Sequence, residues 1–95
     1  MTPETKRHFS QRSRLEIIAC LLTSAYDGSR KTRLIYRCNL SLSQFKKYVD
    51  FLIEGGLLKK RVEGKRVEVY YITERGKTFL KDYERIMETL IKLRL

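Results

Sequence analysis

The segment Ser41-Leu42-Ser43-Gln44-Phe45-Lys46-Lys47 gathers hydroxyl, amide and ammonium groups into two turns' worth of chain. Such groups recognise rather than react: an amide meets the edge of adenine, and a hydroxyl or an ammonium meets a phosphate oxygen. Acid–base or metal-assisted chemistry needs closely set carboxylates, imidazoles or thiols. The chain offers no such set. Its single histidine, His8, lies in a polar N-terminal stretch, and its carboxylates are dispersed and mostly beside Lys or Arg. Gly55-Gly56 follows a helical pattern instead of preceding one, unlike a phosphate-cradling loop. The expectation is a non-enzyme with no cofactor, no metal and no small-molecule substrate. Cys20 and Cys38, 18 positions apart in apolar surroundings and without zinc-site spacing, read as buried thiols.

Ninety-five residues suffice for one modest core. The formal net charge of +10 attracts polyanions, nucleic acid first. Its distribution sharpens the point. Met1 to Arg66 holds fifteen Lys/Arg against six Asp/Glu, net +9, whereas Val67 to Leu95 holds six against five, net +1. A merely solubilising charge has no reason to sort itself by segment. No run approaches the roughly 18 apolar residues of a membrane span, and no apolar signal core opens the chain, so the expected setting is soluble and cytoplasmic, with no membrane partner.

The elements that must position these groups follow from local pattern. Residues 1–12, polar and aperiodic, read as a flexible basic arm. Ser13 with Glu16 three residues later forms a capping box, so a first helix is expected from Ser13, with Leu15, Ile18, Ala19, Leu22, Ala25 and Tyr26 on its apolar side. Asp27-Gly28 ends it. A short second helix carries Leu34, Ile35 and Cys38 opposite Arg30, Arg33 and Arg37. Ser41 with Gln44 repeats the capping box and opens a third helix, which runs to Glu54 and stops at Gly55-Gly56. Leu57–Glu63 and Arg66–Ile72 flank a glycine turn as a β-hairpin. Thr73 caps a final helix. Helix, helix, helix, hairpin, helix, with a tight link between the second and third, is the winged helix-turn-helix arrangement, a mostly helical α+β fold.

On a helical wheel the third helix turns Leu42, Phe45, Val49, Leu52 and Ile53 inward and Ser43, Gln44 and Lys47 outward, beside Lys46. Asp50 and Glu54 limit any approach of duplex DNA to its first two turns. Lys59, Lys60, Arg61, Lys65 and Arg66 cluster about the hairpin turn, and Arg30, Lys31 and Arg33 sit where the first helix of the motif crosses a phosphate backbone. The expected DNA-binding set is therefore Arg30, Lys31, Arg33, Ser43, Gln44, Lys46, Lys47, Lys59, Arg61, Lys65 and Arg66, outlining one basic face within a domain of residues 13–72.

Residues 73–95 would make about 35 Å of helix. Phe79, Tyr83, Ile86, Leu90 and Leu93 are spaced four, three, four, three, as on a heptad seam, and Met87 broadens the stripe. Such a face calls for a second copy of the chain, so residues 73–95 are expected to dimerise.

The chain resembles the archaeal ten-kilodalton winged-helix DNA-binding proteins, a chromatin-associated family of thermoacidophiles. The likeness rests on SRLEIIACLL, GSRKTRLIYRCNLS, EGKRVEVYYIT and ERGKTFLKDYE, with KTRLIYRCNLS the most specific. The resemblance implies a homodimer joined through an antiparallel coiled coil of the last helices. It also implies double-stranded DNA binding with little sequence preference, in an architectural, nucleoid-associated role. Two other readings share the residue types: a sequence-specific transcription regulator reading through Ser43, Gln44 and Lys47, and a winged-helix module docking an acidic protein. RNA suits the motif less, because helix insertion needs the wide major groove of B-form DNA.

Overall fold

The computed structural model describes the backbone from Pro3 to Arg94 and the side chains from Arg14 to Arg94. Its elements are α1 (Pro3–Ser24), β1 (Ser29–Arg30), α2 (Lys31–Arg37), α3 (Leu42–Glu54), β2 (Leu58–Glu63), β3 (Val67–Ile72) and α4 (Glu74–Lys92). The strands form one antiparallel sheet in the order β1-β3-β2. The winged helix fold expected from the sequence is present, with a two-residue strand added to the hairpin.

Helix α1 begins ten positions before Ser13, which therefore lies inside a helix and is not its cap. Pro3 stands at the first helical position, where its fixed φ suits the helix and its missing N–H costs nothing. The basic arm expected over residues 1–12 has its side chains, His8 included, outside the described residues.

Local chemistry ends the other helices where the pattern requires. Asn39 takes a left-handed φ of 52° after α2, which Asn tolerates, and Leu40 N–H reaches back to Ile35 O at 3.0 Å. Gly56 at φ 78° closes α3, with Leu57 N–H bonded to Leu52 O at 2.8 Å, a C-terminal cap that satisfies otherwise orphaned carbonyls. Thr73 caps α4 by accepting the Gly76 N–H at 2.9 Å, and its own hydroxyl donates to Gly56 O at 2.6 Å, tying the start of α4 to the end of α3. Gly76 lies so close to the Leu57 carbonyl that no Cβ fits there.

The core joins Leu21, Leu22 and Ala25 of α1 and its end, Leu34 of α2, Phe45, Val49 and Leu52 of α3, Leu58, Tyr70 and Ile72 of the sheet, and Leu80 of α4. Phe45 and Tyr70 meet edge to face at 5.6 Å, a favoured aromatic geometry that fixes α3 against β3. Leu42, expected in this core, is instead 62% exposed, although Leu40 and Phe45 on either side of it are buried. Leu15 and Tyr26 are likewise exposed. Phe51 is 63% exposed.

The reading of the cysteines as free buried thiols is overturned. Cys20 and Cys38 form a disulfide across Cα atoms 5.9 Å apart, with the Ser24 hydroxyl 3.9 Å from each sulfur. Packing of α1 beside the end of α2 brings the two together, a long-range relation that spacing along the chain does not carry.

Candidate nucleic-acid interface

The capping box that opens α3 is fully formed: the Ser41 hydroxyl accepts the Gln44 N–H at 3.1 Å, and the Gln44 side-chain oxygen accepts the Ser41 N–H at 3.0 Å. Phe45, Val49 and Leu52 anchor one side of the helix in the core, and this leaves Ser43, Gln44, Lys46 and Lys47 exposed on its first two turns. The first two turns of the helix thus present a cationic ridge, while Asp50 and Glu54 are exposed on the later ones. Gln44 is less free than its type suggests. A bidentate contact to adenine uses the amide oxygen, which here is already engaged by the cap.

The sheet sorts the remaining cations by strand alternation, since successive side chains point to opposite faces. Tyr70, Ile72 and Leu58 point inward to the core. Lys60 and Glu68 belong to that same face, beyond the core, and pair at 3.3 Å. Lys59, Arg61, Val69 and Tyr71 point the other way. Arg30 of β1 and Arg61 of β2 are both register partners of Val69, so the two guanidinium groups flank one valine on the outer face of the sheet.

Tyr71 organises that outer face. Its ring lies against Gly28, where an added Cβ would clash with it, and Arg61 sits 5.3 Å from its centroid. Its hydroxyl donates to Glu63 at 2.5 Å. Accepting that proton suits the carboxylate only while Tyr71 is protonated, so the hydrogen bond to Glu63 pushes the Tyr71 pKa above its ordinary value. The Tyr70 pKa is also raised, first by burial and then by the charge of Glu68.

The wing tip carries Lys65 and Arg66, both exposed, on a turn in which Gly64 and Arg66 adopt left-handed φ values of 57° and 61°. Lys31 is exposed at the start of α2, and Arg33 lines a groove with Arg30, Glu63, Val69 and Tyr71. The expected set is therefore exposed throughout but divided. Ser43, Gln44, Lys46 and Lys47 lie on α3, whereas Arg30, Arg33, Lys59 and Arg61 gather on or beside the face of the sheet turned away from α3. Val69 and Tyr71 lie outside the expected DNA-binding set: the sequence carries their alternation with Tyr70 but not which face the core takes.

Along α4 the apolar stripe also divides. Leu80 is buried, and Phe79 packs against the same core. Tyr83 lines a groove with Glu16, Cys20 and Arg37. From Ile86 onward the stripe is open, with Ile86 59% and Ile91 71% exposed, Met87 and Leu93 exposed and Leu90 half-buried. Among the described residues no group of side chains is suited to hold a metal ion, and no helix is long and apolar enough to cross a membrane.

A winged helix-turn-helix family model matches residues 11–91. The chain belongs to the winged helix-turn-helix family. An uncharacterized protein of Methanocaldococcus jannaschii is 35% identical to the chain over 81 residues, covering 84% of this chain and 78% of that one. Among solved winged-helix structures, Sso10a-2, a DNA-binding protein from Sulfolobus solfataricus, superposes with a TM-score of 0.67 at 29% identity, over 83% of this chain and 85% of its own. The transcriptional regulator BldR from Sulfolobus solfataricus superposes with a TM-score of 0.71 at 21% identity, over 83% of this chain and 58% of its own. The likeness to BldR is one of fold.

Proposed function

We propose that this winged-helix protein binds double-stranded DNA as a homodimer, largely without regard to sequence, in an architectural role in the cytoplasm at the nucleoid. One observation carries the reading: α3, clamped on the core by Phe45, Val49 and Leu52, exposes Ser43, Lys46 and Lys47 on its first two turns, in a fold shared with a DNA-binding protein over most of both chains. Lysines neutralise phosphates whatever the base sequence. The cap engages the amide oxygen of Gln44 and so weakens a bidentate reading of adenine, which favours the architectural role over a sequence-specific regulator. The open half of the α4 stripe, from Ile86 to Leu93, supports the homodimer, because so many apolar side chains at helical spacing are a poor surface to leave in water. The protein is read as a non-enzyme.

Binding measured as a function of salt tests this. If a dimer neutralises about eight phosphates, log K falls against log salt with a slope of about −7. Replacing Lys46 and Lys47 by Ala makes the slope shallower by about two for each protomer. A slope near zero, or an unaltered double variant, defeats the reading, and a preference above about a thousandfold for one site over random DNA hands it to the regulator.

A further inference from the structure

We infer that the outer face of the sheet is a second DNA-backbone site in each protomer, holding a duplex other than the one on α3. The inference rests on the DNA-binding reading above and adds a second surface to it. Three elements build this site. Arg30 at the end of β1 and Arg61 in β2 stand on either side of Val69, and Arg33 of α2 lines the groove beside them. Strands lie about 4.8 Å apart, so the two flanking arginines are about 10 Å apart at their Cα atoms, across an extended surface and not around a pocket.

The charge there is available. Among the described residues the ion pairs engage Lys60, Lys77, Arg85 and Lys92, and none engages Arg30, Arg33 or Arg61. Two carboxylates, Asp27 and Glu63, line the same groove and keep their charge, the Tyr71 hydrogen bond to Glu63 included; against them stand Arg30, Arg33 and Arg61 and, on the same face of the sheet, Lys59, four cations against two anions. Stacking on Tyr71 holds Arg61 in place before any ligand arrives, which lowers the ordering cost of binding. Guanidinium groups spread along an open groove, from Arg33 of α2 to Arg30 and Arg61 on either side of Val69, match a stiff, regularly charged polyanion. Their planar forks suit phosphate oxygens in particular.

Geometry assigns that polyanion to another duplex segment. Tyr70 turns inward to meet Phe45 of α3, so Val69 and Tyr71, its neighbours in β3, face away from α3. Ser43 and Lys47 leave α3 on the side away from Phe45, so a straight duplex seated on them is expected on the other side of the domain from Val69 and Tyr71.

The test is binding stoichiometry with a hairpin-closed duplex of about 10 base pairs, one helical turn, too short to serve both faces. Titration calorimetry of the wild type at low salt is expected to show two duplexes per protomer, the weaker class with a salt slope of about −3 for three phosphates. Arg30→Ala/Arg33→Ala/Arg61→Ala is expected to keep the first class and lose the second. Lys46→Ala/Lys47→Ala is expected to do the reverse. A single duplex per protomer in the wild type, or a triple variant that still takes two, overturns the inference. Loss of all binding in the triple variant, with an unchanged circular dichroism melt, also overturns it, because the arginines would then belong to the α3 site. If the wild type binds no duplex at all, the reading of the protein as DNA-binding fails with it.

Discussion

The Tyr71 hydroxyl donates a 2.5 Å hydrogen bond to Glu63, spanning the outer face of the wing from the base of β3 to the end of β2. Because the bond holds the proton on Tyr71, the folded protein retains it at pH values where the unfolded chain, with the ordinary value of 10.0, releases it. The stabilisation is complete below about pH 10 and is lost as pH rises through the raised value. Denaturant midpoints measured across the alkaline range are expected to fall more steeply with pH for the wild type than for Tyr71→Phe. Equal slopes would show that the bond does not form in solution.

Of the five glycines, Gly76 has the least room for a side chain. A methyl group there meets the Leu57 carbonyl and the Ile72 side chain, and backbone cannot yield as a flexible side chain can. Gly76→Ala is expected to cost about 1 to 3 kcal/mol in chemical denaturation, the range of overpacked core positions. Thr73→Ala removes the cap of α4 together with its link to Gly56 and is expected to cost about 1 kcal/mol. A neutral Gly76→Ala would place α4 farther from the α3–β2 turn than described.

The Cys20–Cys38 bond closes a loop with a sequence separation of 18. Loop closure of that size restricts the unfolded chain by about 3 kcal/mol. Unfolding of the wild type with and without a dithiol reductant is expected to differ by about that amount, and Cys20→Ser/Cys38→Ser is expected to match the reduced wild type and ignore the reductant. No difference on reduction would mean that the pair is not joined in the isolated protein.

Ile86 lies where the α4 stripe parts from its own core. Ile86→Glu is expected to turn a dimer into a monomer of 11.4 kDa in sedimentation equilibrium while leaving the circular dichroism spectrum intact. A wild type that is already monomeric refutes the assignment of this face.

Much of the fold was legible because local chemistry dictated it. The Ser41–Gln44 box, the Gly55-Gly56 stop, the glycine-tipped hairpin and the Thr73 cap each satisfy backbone groups within a few residues, so each leaves a signature in the chain. What escaped was long-range. Strand β1 has two residues and exists only because β3 lies beside it. The disulfide needs α1 and α2 to be packed before its partners meet. Leu42 satisfies the helical period yet is left exposed. The candidate site was legible in its membership and not in its division. Periodicity told Val69 from Tyr70 without telling which of them faces α3, and that choice separates the cations of the sheet from those of the helix.

Arg30 ends β1, and Lys31 begins α2 with no residue between them. Arg30 is also the N-cap of α2, so strand and helix share one joint, and the register of β1 against β3 decides where the short helix begins.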